Sequence, residues 1–158
     1  MAGPLEGIKI VELGQMIAVP GATYLLATQG AEIVKVENTT GGDDLRMYGS
    51  RKNGISGWFA NANAGKRSIG IDLMTEDGKQ VLWRLLKDAD VFIQGFRPGA
   101  VDRLGFSYVE VHNALPELIY VSSSGFGASG PYSERPVYDP VIQALSGWAG
   151  AQKTNNEP

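Results

Sequence analysis

The sequence predicts an α/β protein: a Rossmann-like open parallel sheet with flanking helices. Three observations predict it. Short apolar runs alternate with helical patterns throughout the chain. The first group, Ile8 to Glu37, is a strand–helix–strand unit of the kind that gives parallel pairing with a right-handed crossover. Glycine-bearing loops stand where strands become helices, as in "FIQGFRPGAVDRLGF", Phe92 to Phe106.

In chain order, "IKIVEL" (Ile8–Leu13) reads as a buried strand. "VPGATYLLATQG" follows as a helix, with Pro20 as opener and Gly30 as stop. Ala31–Glu37 is the next strand, and Asn38–Gly57 is polar and glycine-rich, a long loop. A short apolar patch, a basic turn at Lys66–Arg67 and a strand over Ser68–Asp72 come next. "TEDGKQVLWRLLKDAD" is an amphipathic helix. Thr75 is its N-cap, Glu76 and Asp77 suit the positive end of its dipole, and Val81, Leu82, Leu85 and Leu86 form its apolar stripe. "VFIQ" is another parallel-type strand. "SYVEV" opens a helix with a Ser107–Glu110 capping box, and "ELIYVSSS" holds a further strand. After a glycine-rich loop, Gly125–Pro136, "DPVIQALSGWAG" reads as one last helix with Asp139 as N-cap and Pro140 at its first position. Residues 1–151 form the sheet region, and 152–158, "QKTNNEP", are a polar tail.

A hydrophobic content of 43% and a charged content of 20% are those of a globular protein. The net charge of −3 argues against a nucleic-acid partner, which asks for a basic face. With no cysteine, disulfides, thiolate catalysis and cysteine-based zinc sites are excluded, and no other metal site is expected. The opening "MAGPLEGIKIVELG" is not a signal peptide. Met16–Ala27, the most apolar window, is broken by Pro20 and Gly21 and falls short of the roughly 20 residues a membrane helix needs. A cytoplasmic protein is expected.

"GFGASG", Gly125–Gly130, has the letters of a dinucleotide fingerprint, but Pro131 and Pro136 stand where its helix should open. NAD binding is not expected from it. His112 reads as a structural or surface residue, and Asp43 and Asp44 as solvated loop carboxylates. Arg97 and Arg103 flank the C-terminal end of a strand, the edge where open α/β sheets bind ligands. A guanidinium fork suits phosphate, and glycine lets backbone approach it. Anion binding and a plain turn with solvated arginines both fit these residues.

Several separated segments together resemble one family. They are "GIKIVELGQMIAVPGATYLLATQGAEIVKVE", "GGDDLR", "NAGKRSIGIDLMTEDGK", "ADVFIQGFRPGAVDRLGFSY" and "YVSSSGFGASGPYSERPVYDPVIQALSGW". In order and spacing they are similar to the amino-terminal region of the family III CoA-transferases, also called CaiB/BaiF. The group includes formyl-CoA and crotonobetainyl-CoA:carnitine transferases and the related α-methylacyl-CoA racemases. The resemblance implies transfer of CoA between an acyl-CoA and a small carboxylic acid through an aspartyl intermediate, a case of nucleophilic catalysis by a carboxylate.

Carried over position by position, the resemblance gives CoA contacts. Ile17 and Ala18 would face the pantetheine and nucleotide, and Asn38 stands where relatives often have a basic residue. Ile71, Asp72, Leu73 and Met74 would line the adenine side. Gly95, Phe96 and Arg97 would border the nucleotide, Arg103 would pair with phosphate, and Pro136, Val137, Tyr138 and Asp139 would meet the pantetheine. Relatives commonly have Asn at the position of Gly95. The racemases have a histidine at that of Tyr138, so the transferase branch is favoured. The resemblance places the nucleophilic aspartate beyond Pro158, so no catalytic residue is assigned in this chain and the isolated chain is expected to be inactive. It implies an interlocked homodimer for the full-length relatives. A non-catalytic module that binds CoA or dimerises is the alternative.

Overall fold

The computed structural model describes residues 3–152. They fall into two compact units, one ending at Ser123 and one beginning at Ser124. In the first unit, strand β1 (Lys9–Leu13) is buried from Ile10 onward. Helix α1 (Ala18–Ala27) begins two residues before Pro20, so the proline is its third residue and not its opener. The first turn's N–H groups have no intrahelical partner, so a proline there breaks no bond. Strand β2 (Glu32–Glu37) follows.

The stretch Asn38–Gly57, expected as one loop, holds a 3-10 helix (Asp44–Met47) and a hairpin of β3 (Arg51–Lys52) and β4 (Ile55–Ser56). Asn53 and Gly54 connect the hairpin with φ of 52° and 80°, the left-handed pair that a two-residue turn with the strands' own twist requires. The apolar patch after it is helix α2 (Gly57–Asn63), capped by the Ser56 hydroxyl accepting from the Phe59 N–H. Strand β5 is Arg67–Gly70, shifted by a residue or two from the expected range.

Helix α3 (Glu76–Lys87) has the expected Thr75 cap, and Leu82 and Leu86 on its inner face are fully buried. Then come β6 (Val91–Gln94), the short α4 (Ala100–Arg103), α5 (Tyr108–Ala114) with its Ser107–Glu110 capping box, and β7 (Ile119–Ser122). β1, β2, β5, β6 and β7 form one parallel sheet in the order β5-β2-β1-β6-β7. The chain therefore builds outward from β1 to one edge and then returns to β1's other side. The crevice above β1 and β6, where that reversal occurs, is the ligand position of open α/β sheets.

Strand periodicity sorts the core into two layers. Val11, Leu13, Val36, Phe92, Leu82, Leu86, Phe106 and Val111 pack on one face, and Ile10, Ile33, Ile93, Val19 and Ala31 on the other. Glu12 and Lys35 are register partners across β1 and β2, and both are buried.

In the second unit, residues 124–138 hold no helix or strand. Helix α6 (Asp139–Leu145) has Tyr138, extended at φ −124°, as its N-cap; Asp139, expected there, is the first helical residue. Its carboxylate accepts instead from the Gln143 amide one turn on. The single helix expected to run on through Gly150 is split by Gly147, at φ 79°, from α7 (Trp148–Ala151). Of the expected polar tail, residues 153–158 lie outside the described residues. Among the described residues no helix is long and apolar enough to cross a membrane.

Candidate functional site

A cleft of about 400 Å³ runs along the C-terminal edge of the sheet. Its walls are the ends of four strands: Leu13–Gln15 after β1, Val36–Thr40 after β2, Ile71–Met74 after β5, and Phe96 after β6, with Leu104 beyond α4. It thus lies over the reversal point of the sheet. Of the residues singled out in the sequence, Asn38, Ile71, Asp72, Leu73, Met74 and Phe96 are brought together here.

The β5 wall is fixed by a close approach. Gly78, in the first turn of α3, sits so near Asp72 that a β-carbon there would be 1.9 Å from the Asp72 carbonyl oxygen. Asp72 also caps its own turn: its Oδ1 accepts from the Met74 N–H at 3.0 Å and its carbonyl from the Thr75 hydroxyl at 2.9 Å. Leu73 is thereby turned inward and buried while Met74 stays exposed.

Asn38 organises the β2 wall. Its Oδ1 accepts from the N–H groups of Thr40, Gly41 and Gly42 at 3.0, 2.9 and 3.2 Å, and its Nδ2 donates to the Gly42 carbonyl at 2.9 Å. A basic residue could not accept these bonds, so Asn38 holds its own loop rather than offering a charge to a ligand.

Glu37, at the end of β2, is equally engaged. Arg46 Nε and Nη2 grip its two oxygens at 2.7 and 2.6 Å, Ser68 donates at 2.5 Å and the Asp43 N–H at 2.8 Å. Burial alone would raise this carboxyl's pKa, but the Arg46, Ser68 and Asp43 hydrogen bonds outweigh it and pull it from 4.5 to about 2. In dinucleotide-binding sheets an acid at this strand end takes a ribose hydroxyl. Here it is already saturated. In the second unit, no helix opens after "GFGASG" until Asp139.

Beneath these two loops lies a buried cluster of four charges. Glu12 pairs with Lys35 Nζ at 2.7 Å and Lys66 Nζ at 2.8 Å, and accepts from the Thr23 hydroxyl at 2.6 Å. Lys35 also donates to the Gly14 carbonyl at 2.7 Å and faces Asp43 Oδ2 at 2.9 Å. That second contact is an ion pair outside hydrogen-bond geometry. Lys66 donates further to the Pro20 carbonyl at 2.7 Å and Asn63 Oδ1 at 3.0 Å, and burial lowers its pKa against the pull of Glu12. Two cations against two carboxylates leave the cluster neutral, the condition under which charges tolerate burial.

Asp43 therefore is not the solvated loop carboxylate expected from the sequence, and the Lys66 side chain of the basic turn is turned inward. Asp43 is 1% exposed, and the Lys66 side chain 2%. Glu12 and Lys35 were absent from the sequence reading. Their signal was a charge at an inward position of an otherwise apolar strand, opposite a complementary charge in the next strand.

On the other side of the cleft, Arg97 and Arg103 are exposed. Neither makes an ion pair or a side-chain hydrogen bond among the described residues, and the Arg103 guanidinium folds back over Gly99. Neither lines the cleft itself, although Phe96 and Leu104, their chain neighbours, do. Gly95 stands beside Val19, where a β-carbon would approach a valine methyl to 2.9 Å. This is a local reason for glycine at this position. Ile17, the N-cap of α1, and Ala18, its first residue, are exposed outside the lining. Pro136, Val137, Tyr138 and Asp139 belong to the second unit, where Val137 packs tightly against Gly125 and Tyr138 is exposed.

The profile of CoA-transferase family III matches residues 5–158. The chain belongs to that family. Acetyl-CoA:oxalate CoA-transferase of Acetobacter aceti is 41% identical over 145 residues, covering 92% of this chain and 37% of that protein. Human succinyl-CoA:glutarate CoA-transferase is 37% identical, covering 91% of this chain and 33% of that protein. Among solved structures, a CaiB/BaiF family protein from Brucella suis superposes with a TM-score of 0.88 at 40% identity, over 93% of this chain and 40% of that one. A hypothetical protein from Mycobacterium tuberculosis gives 0.89 at 34% identity, over 99% and 44%. The family III chain thus spans about a third of the length of these curated relatives. A short-chain dehydrogenase/reductase family protein, 18% identical with a TM-score of 0.51, shares the fold alone.

Proposed function

We propose that this chain is the CoA-holding part of a family III CoA-transferase, which moves CoA between an acyl-CoA and a small carboxylic acid through an aspartyl intermediate. The observation that carries the reading is the convergence of Asn38, Ile71–Met74 and Phe96 on one cleft at the sheet's reversal point. Apolar walls at Ile71, Leu73, Phe96 and Leu104 suit the flat adenine ring, and the absence of any lysine or arginine from the lining directs phosphate elsewhere. Arg103, unpaired and beside Leu104, is the phosphate ligand, with Arg97 at the nucleotide's border. Ile17–Ala18 face the pantetheine and nucleotide, and the family resemblance alone gives Pro136 to Asp139 a pantetheine contact. CoA enters as substrate, the proposal needs neither a metal nor NAD, and the nucleophilic aspartate is assigned to no residue of this chain. The cytoplasm is the expected compartment, and an interlocked homodimer the expected assembly of the full-length enzyme.

Calorimetry of the 158-residue chain with CoA tests the site. Binding is expected, and Arg103→Ala should weaken it by about tenfold, the scale of one charge-assisted hydrogen bond. No binding, or no effect of the substitution, overturns the assignment. The chain alone should show no CoA exchange; measured turnover would locate the nucleophile within it. A second reading, a module that binds CoA without turnover and self-associates, draws on the exposed Met47, Tyr48, Ile55 and Trp58 around the β3–β4 hairpin. Sedimentation decides it: a monomer at tens of micromolar removes the self-association. A racemase is disfavoured because Tyr138 stands where that branch has its histidine base.

A further inference from the structure

We propose that Asp43 is a positioning residue that locks the loop after β1 to the loop after β2 and so sets the shape of the cleft. Both loops supply cleft walls, Leu13–Gln15 from one and Val36–Thr40 from the other. Asp43 lies just past the second wall, and its carboxylate reaches back to the first. Oδ1 accepts from the Met16 N–H at 2.9 Å, across 27 residues of chain, and at the same time from the Leu45 N–H at 2.9 Å. Oδ2 faces Lys35 at 2.9 Å, and Lys35 in turn holds the Gly14 carbonyl at 2.7 Å. The Asp43 N–H is tied to Glu37. Its carboxylate and N–H contacts thus join the two loops or anchor the β2 loop.

The residue it grips is the telling one. Met16 has φ 62°, the left-handed region that a side-chain-bearing residue rarely adopts. Of the non-glycine residues described, only Asn53 shares this feature, and Asn53 sits in a hairpin turn that requires it. Met16 stands instead in the turn that leads into α1. Such a conformation persists only where its surroundings over-determine it, and the bond from its N–H to a buried carboxylate does so. A burial of charge this complete is also poor value as stability alone, since apolar side chains of similar volume serve as well. The chain runs from Met16 directly into the exposed Ile17 and Ala18, so the lock governs where that segment stands relative to the β2 wall.

The lock is independent of what the cleft binds; that its ligand is CoA rests on the reading above. Two measurements separate them. Amide exchange of the wild-type chain needs no variant and no ligand: the Met16 and Leu45 N–H groups should exchange far more slowly than that of exposed Gln15. Equal rates overturn the lock. CoA titration then follows the variants. Asp43→Asn keeps the Oδ1 acceptor and should hold affinity within about twofold while losing thermal stability, because only the charge facing Lys35 is gone. Asp43→Ala should lose about tenfold in affinity. Adding Met16→Asn to it should recover much of that loss, since Asn tolerates the left-handed region without the carboxylate's hold. A folded Asp43→Ala chain of wild-type affinity, or a double variant no better than the single, overturns the positioning role. Should Asp43→Ala not fold, Asp43→Asn decides: loss of Met16 protection and affinity together with an intact fold overturns the Oδ1 contact as the acting one. A wild-type chain that does not bind CoA removes the ligand reading, and the exchange rates still settle the lock.

Discussion

The loops after β2 and after β6 face each other across the same cleft and are both rich in charge, yet they use it oppositely. In the β2 loop Glu37, Asn38, Asp43 and Arg46 are bound to one another or to backbone, and two of the four are fully or nearly fully buried. In the β6 loop Arg97 and Arg103 are exposed and hold nothing among the described residues. The first loop turns charge into shape; the second keeps it available. A charged residue at a ligand-binding edge is thus no guide to ligand contact until its partners are known.

Substitutions on the two sides should separate stability from binding. The largest effect is expected from Lys35→Met, which leaves Glu12 and Asp43 buried without their shared cation. Denaturant unfolding should register a loss of about 3–5 kcal/mol. An unchanged midpoint would break the comparison at its foundation. Next is Gly78→Ala, whose added methyl must displace the Asp72 carbonyl. It should cost about 1–3 kcal/mol, the range for overpacking a tight contact, and weaken CoA binding through the shifted Ile71–Met74 wall. Retained affinity would detach that wall from the site.

Acid should act on one side only. The Glu37 carboxyl lies near 2 in the folded chain against an ordinary 4.5, so its contribution is complete above about pH 4.5 and disappears as the pH falls toward 2. Glu37→Gln should flatten the acid limb of the stability profile in that window; a limb of unchanged steepness would assign it to other carboxylates. The smallest expected change is in the stability of Arg103→Ala, within about 0.5 kcal/mol of wild type. A larger loss would mean that this arginine, too, is structural.

The parallel sheet was legible because strands, helices and caps are written locally. Thr75 and Ser107 mark helix starts by their own chemistry, and β-branched runs mark β1, β2 and β6. The cleft was half legible: Asn38, Ile71–Met74 and Phe96 were named in advance, but not Asn38's role, which depends on a loop closing onto its side chain. Asp43 was misread because its burial is decided by Met16 and Lys35, far along the chain, and no local pattern announces that. Asn53–Gly54 was a local signal passed over, since it sits in a stretch whose composition alone says loop.

The four-charge cluster also bears on how the chain folds. Its four charges come from β1, β2, the loop after β2 and the residue before β5, so the full set is complete only when four separate segments have met. We expect the complete set to close after the rate-limiting step, because contacts between separate segments must first offset their loop-closure entropy. The cluster should therefore act chiefly as a brake on opening: Lys35→Met should accelerate unfolding far more than it slows refolding.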